Sequence, residues 1–189
     1  MLFLEITGFL FGVAGVWLTI RKSIWCFPVG IVNVLITAWL VYSIALFADT
    51  LQQLVYFVLL LVGWVNWSRS GKTGQLVVSR LKTRNIIQLA FIFIAGTALM
   101  GFLFSNYSRA SYPFWDSAAT VICFIAQWMI AKRKIENWIL WMVANPIYIT
   151  LFLIKGLEWY ALLSLIYFIM AVIGWNHWNR YYKMQTNAG

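Results

Sequence analysis

The sequence predicts an all-α membrane protein of seven transmembrane helices, in which two parallel three-helix repeats are joined by a linker helix (3+1+3). Three observations predict it. Of the 189 residues, 63% are hydrophobic and only 10% are charged, with a mean hydropathy of +0.81; a soluble domain carries about 25% charged residues. So few charges cannot cover a core with polar surface, which excludes an ordinary cytosolic enzyme, a secreted disulfide scaffold and a disordered chain. Second, charges and turn residues divide the chain into seven apolar pieces of roughly 20 residues, the length a bilayer core requires. Third, the basic residues fall almost entirely on one side once seven spans are drawn.

The spans run 4–20, 24–45, 50–67, 85–105, 114–131, 137–154 and 158–178. No basic residue precedes the first apolar run, so it is read as a retained helix and not as a cleaved signal peptide. The second span carries Pro28 and Asn33. The third opens with Gln52, Gln53 and Tyr56. The segment 68–84 is the one long polar loop, and the fourth span is the most uniformly apolar. The fifth opens with Pro113-Phe114-Trp115-Asp116-Ser117 and continues to Gln127 and Trp128. The sixth reads from Asn137 through Trp138, Trp141, Asn145 and Pro146 to Tyr148. The seventh ends at Trp178, and the polar tail is expected to be loose from Gln185 on. The organisation is therefore a first repeat at 1–67, loop and linker helix at 68–113, a second repeat at 114–180 and a tail at 181–189.

Seven spans put the termini on opposite faces. The C-terminal face holds Arg21, Lys22, Arg69, Lys72, Arg80, Lys82, Arg84, Lys132, Arg133, Lys134, Arg180 and Lys183, which is 12 of the 14 basic residues. Only Arg109 and Lys155 fall on the other face. The excess of cations marks the cytoplasmic side, so the N-terminus is expected outside and the C-terminus in the cytoplasm. Orientation and lipid headgroups account for these charges, and no nucleic-acid partner is expected. Cys26 and Cys123 lie in apolar runs as small core residues. With His177 as the single histidine and no Gly-rich phosphate loop, no metal and no cofactor is expected.

The third and seventh spans end alike. Tyr56-x6-Gly63-Trp64-x2-Trp67 matches Tyr167-x6-Gly174-Trp175-x2-Trp178 at an offset of 111 (167 − 56). Arg21-Lys22 faces Lys132-Arg133-Lys134, and Asn33 faces Asn145 at an offset of 112, implying one indel between them. Three spans cross the membrane and the fourth returns, so both repeats start on the same face and run parallel. Trp64, Trp67, Trp175 and Trp178 are read as an aromatic belt at the basic edge, and His177 as an interface residue.

A polar side chain in hydrocarbon needs a partner or a purpose. Trp138, Trp141, Asn145 and Tyr148 follow i, i+3, i+7, i+10 and share a helical face. Pro28 and Pro146 each remove a backbone donor and are expected to kink their helices. Aromatic planes beside amides suit a flat ligand: Trp holds a cationic ring, and Asn or Gln bonds hydroxyls and amides. The candidate substrate-binding residues are Trp141, Asn145, Tyr148, Gln52, Gln53, Tyr56, Asn33, Trp115 and Trp138. Asp116 has three readings: a helix cap, a cation receiver or an ion-pair partner.

Phe114-Trp115-Asp116-Ser117, then Lys132-Arg133-Lys134-x-Glu136-Asn137-Trp138-x2-Trp141-x3-Asn145, and earlier Ala48-Asp49 with Gln52 and Gly63-Trp64-x2-Trp67, resemble the PnuC family of vitamin transporters over nearly all of the chain. The resemblance implies a fold similar to the SWEET sugar transporters, in a bacterial inner membrane. It implies facilitated diffusion of nicotinamide riboside or, in related branches, thiamine, riboflavin or deoxynucleosides, with a cytosolic kinase trapping the vitamin. By it Trp141, Asn145 and Gln52 are the leading site residues. Nicotinamide riboside and thiamine both present a flat cationic ring. A retinal receptor would need a lysine in the last span, which has none. An intramembrane enzyme would need a nucleophile–base pair. Lipids are the surrounding partners; a complete 3+1+3 unit suffices to work alone, and membrane packing can add copies as a homo-oligomer.

Overall fold

The computed structural model describes residues 2–43, 47–70, 77–107 and 112–187; Lys72 and Arg109 lie outside the described residues. Seven helices follow in order: α1 (Leu2–Ile20), α2 (Cys26–Ser43), α3 (Phe47–Ser70), α4 (Thr83–Tyr107), α5 (Pro113–Ala131), α6 (Asn137–Ile154) and α7 (Glu158–Asn187). Helices are the natural outcome for such apolar runs, because in hydrocarbon every backbone donor must bond within its own segment. Helices α2 to α7 are long and apolar enough to cross a membrane, and α1 has a shorter apolar stretch, Ile6–Ile20.

Neighbouring helices close a ring in the order α1, α2, α3, α5, α6, α7 and back to α1. Among the described residues α4 packs on α5 alone, outside the ring. Its close approach uses small residues: Gly101 meets the Phe114 ring and Gly96 meets Val121.

The two halves repeat the same local structure. Helix α1 ends in a Schellman turn, with Lys22 N–H bonding the Thr19 carbonyl at 3.0 Å and Ser23 N–H the Leu18 carbonyl at 2.9 Å. Helix α5 ends the same way, Arg133 to Ile130 at 2.9 Å and Lys134 to Met129 at 2.8 Å. The left-handed residue is Lys22 (φ 55°) in one and Arg133 (φ 56°) in the other, where glycine is usual. Helices α2 and α6 start at Cys26 and Asn137 and end at Ser43 and Ile154, an offset of 111 at both ends. The expected indel is therefore absent. Asn33 stands opposite Ala144, and Asn145 opposite Val34.

Two further expectations change. Pro28 lies in the first turn of α2, where a missing N–H costs nothing, and the Ile24 carbonyl is taken by Phe27 N–H at 3.2 Å. Only Pro146 sits inside its helix. The tail is not loose at Gln185: α7 continues to Asn187, and the Gln185 amide bonds both backbone groups of Val78 at 3.2 Å.

Charge gathers at the ends. At one end the segment 77–82 is strapped down by Ser79 pairing with Lys134, by the Lys134 ammonium on Ser79 Oγ (2.9 Å), and by Arg80 on Asn179 (2.8 Å). Here Lys22 Nζ lies 3.1 Å over the Tyr181 ring, and burial pulls its pKa down to about 8. At the other end Lys155 pairs with Asp116 at 3.2 Å, which selects the ion-pair reading of Asp116.

The rings of each half fill a glycine notch. Gly63 receives the Phe27 ring, and Gly174 receives Trp138, whose ring atoms would lie 2.6 Å from an added Cβ. Gly63→Ala and Gly174→Ala should each destabilise the protein by about 1–3 kcal/mol, the usual cost of overpacking. Gly15→Ala, with its nearest neighbours at 3.8 Å, should leave stability unchanged. Thermal unfolding in detergent compares the three.

Candidate substrate-binding cavity

A cavity of about 290 Å³ lies inside the six-helix ring. Helices α1 and α2 supply Phe11, Gly12, Thr19, Phe27, Asn33 and Thr37; α3 supplies Gln53, Tyr56 and Leu60; α5 supplies Gln127 and Ile130; α6 supplies Trp138, Trp141 and Asn145; α7 supplies Tyr167 and Ala171. None of the described residues that line it carries a formal charge.

Six of the nine candidates therefore meet at one place: Asn33, Gln53, Tyr56, Trp138, Trp141 and Asn145. Their amides are oriented from within the protein. Asn33 Nδ2 donates to the Gly8 carbonyl of α1 at 2.6 Å, and Asn145 Nδ2 to the Trp141 carbonyl at 2.7 Å. Each amide keeps its carbonyl oxygen and one N–H for a ligand. Trp141 is partly buried against the main core cluster.

Three candidates do not line the cavity. Tyr148 shares the Trp141 face but lies about two turns farther along, where it stacks on Phe152 at 5.7 Å and faces Cys123 of α5. Gln52 is hydrogen-bonded to Tyr56; its neighbour Gln53, 100° round the helix, takes the cavity. Trp115 is 61% exposed on the outside of α5, where an apolar side chain meets lipid. The belt reading also fails for half of the tryptophans. Trp67 and Trp178 are 0% exposed, packed between helices, while Trp64 stays exposed and Trp175 half-buried. His177 is exposed and apart from the cavity.

Tyr167 and Gln127 were not among the candidates, and both line the cavity. Tyr167 stands 111 residues after Tyr56 and pairs with it across the site, so the repeat itself was the signal. The Tyr167 hydroxyl reaches α1 only because Gly12 has no side chain: an added Cβ would collide with that oxygen and lie 3.3 Å from Asn33 Nδ2.

A ring of membrane-length helices around an aromatic–amide cavity, with no charge among its described lining residues, is the architecture of a multi-pass transporter of a small molecule. Residues 2–180 match the family described as Nicotinamide mononucleotide transporter, and the chain belongs to it. It is 26% identical over 199 residues to the Nicotinamide riboside transporter PnuC of Escherichia coli (strain K12), covering 92% of this chain and 82% of that protein. It is 23% identical over 184 residues to the Riboflavin/roseoflavin transporter RibM of Streptomyces davaonensis, covering 92% and 83%. A solved structure titled "Crystal structure of the Vitamin B3 transporter PnuC" superposes with a TM-score of 0.78 at 21% identity, over 96% of this chain and 83% of that one. That likeness bears out the seven-helix fold, and the family bears out a transporter.

Gly12→Ala should push the Tyr167 hydroxyl into the cavity and weaken substrate binding by about 1–3 kcal/mol. Gly8→Ala, whose Cβ would meet Ile36 at 3.4 Å, should leave it unchanged. Calorimetric titration of the two purified variants makes the comparison.

Proposed function

We propose that this protein carries nicotinamide riboside across a bacterial inner membrane by facilitated diffusion. The observation that carries this reading is the absence of any charged side chain among the described residues of the cavity lining, combined with Trp141 beside two oriented amides. A phosphorylated ligand would bury its anionic charge there without a partner, at several kcal/mol. The riboside has no phosphate. Its pyridinium ring is the kind of cation a tryptophan face attracts, and its ribose hydroxyls and carboxamide suit Asn33, Gln53 and Asn145. The relative named for nicotinamide riboside supports the same choice. Thiamine is the second reading, since it too is a flat cation without phosphate.

In this reading Trp141 stacks on the ring and Asn145 bonds a polar substituent. Tyr148 and Gln52 brace the Tyr56 side of the pocket. A cytosolic kinase traps the vitamin by adding the phosphate the cavity rejects. The two three-helix units move against each other, with α4 as the device that lets them run parallel. The cation-rich end faces the cytoplasm and the N-terminus lies outside, by the 12-to-2 division of basic residues.

Loss of a desolvated cation–π contact costs about 2 kcal/mol or more, and loss of a neutral hydrogen bond about 0.5–1.5 kcal/mol. Trp141→Ala should therefore weaken riboside binding by at least roughly tenfold and Asn145→Leu by several-fold, with Trp141→Phe between wild type and Trp141→Ala. A neutral isostere of the ring should lose less than the riboside does when Trp141 is removed. Equal losses for the two ligands would reduce Trp141 to a packing role. In liposomes, labelled riboside should equilibrate and never concentrate under a proton or sodium gradient, and nicotinamide mononucleotide should not compete. Uptake of thiamine in preference to riboside would select the second reading.

A further inference from the structure

The cavity is closed toward the basic end by four aromatic rings. Phe27 and Trp138 form its floor. Trp67 lies edge-on beneath Phe27 (5.0 Å, 86°), and Trp178 edge-on beneath Trp138 (5.6 Å, 85°). None of the four is more than 1% exposed. The two lower indoles meet each other at 6.1 Å.

Each indole N–H crosses to the other half. Trp67 Nε1 in α3 donates to the Ile130 carbonyl of α5 at 3.1 Å. Trp178 Nε1 in α7 donates to the Thr19 and Ile20 carbonyls of α1 at 3.2 Å. Thr19 and Ile130 are again 111 residues apart, and both are last-turn carbonyls, which helices leave without a full set of partners. Indoles that only packed their own half together would not need acceptors in the opposite one. These bonds join the halves directly beneath the Phe27 and Trp138 rings that line the cavity.

We propose that Trp67 and Trp178 are a paired latch on the transport pathway. They are positioning residues whose reciprocal bonds hold the basic end closed, and whose release lets the two halves part on that side. Such a bond suits a latch, because its net worth in a protein is small and water at the membrane edge can replace both partners. The proposal rests on reading the chain as a transporter with this cavity as its pathway, and not on which vitamin passes.

The test reads access to the cavity by side. Val34 is buried and lines the cavity; Val34→Cys in a Cys26→Ala, Cys123→Ala background gives one reporter thiol. A membrane-impermeant methanethiosulfonate is applied from each face, and Lys134→Cys identifies the basic face. Trp→Phe removes the N–H and keeps most of the ring. Losing one neutral bond shifts the open fraction by roughly two- to tenfold. Trp67→Phe and Trp178→Phe should each raise labelling of position 34 from the basic face by that factor, and the double variant by more. The rate from the opposite face should not rise. Unchanged basic-face labelling in both single variants overturns the latch. An equal rise from both faces also overturns it, by showing that the indoles only hold the fold together. No vitamin is needed for the labelling, so riboside uptake and latch accessibility succeed or fail separately.

Discussion

The architecture depends on the rule that a polar backbone group in a membrane must find its partner inside the protein. At the basic end that rule reaches across the molecule: the buried indole N–H groups of Trp178 and Trp67 find their acceptors at last-turn carbonyls of α1 and α5, which also close the Schellman turns. By these indole bonds α3 is tied to α5 and α7 to α1, which are the two contacts that close the ring. The central cavity is a consequence of that closure.

What fills the cavity wall follows from the same economy. Tyrosine, asparagine and glutamine are affordable in hydrocarbon because each satisfies part of its polarity on the protein, as Asn33 does on Gly8 and Asn145 on Trp141. Charges are not, and none is found among the described lining residues. They stand instead at the two ends, Lys155 with Asp116 at one and the strap of Ser79, Arg80 and Lys134 at the other. Such a lining offers a ligand ring faces and amide groups rather than a fixed countercharge.

Glycine sets how near neighbouring helices come. Gly63 and Gly174 sit where the Phe27 and Trp138 rings need room, and Gly12 where the Tyr167 hydroxyl does. At these positions the missing side chain matters more than backbone freedom. Among the described residues only Gly156 (φ +71°), closing α6 before α7, is a glycine in a left-handed turn. At Lys22 and Arg133 a cationic residue takes that conformation instead, and so places charge directly at the basic edge.

Local sequence determined the number of helices, the division of charge between two ends, and the match between third and seventh spans, because hydropathy and turn residues act within a single segment. Helical period also put Trp138, Trp141 and Asn145 on one face of α6, which lines the cavity, whereas Gln52 and Gln53 were candidates alike until the fold separated them. Tertiary structure decided what depends on neighbours. Trp67 and Trp64 lie in one motif with the same residue type, and only the packing of α3 against α2 and α5 buries the first and exposes the second. Trp115 looks like a binding tryptophan in sequence and faces outward in the fold. Tyr148 shares a face with Trp141 but sits beyond the end of the cavity, a matter of depth that no period encodes. The pairing of each indole with the opposite half joins residues 63 and 159 positions apart. No local signal reports a bond over that distance; it exists because six helices close into a ring.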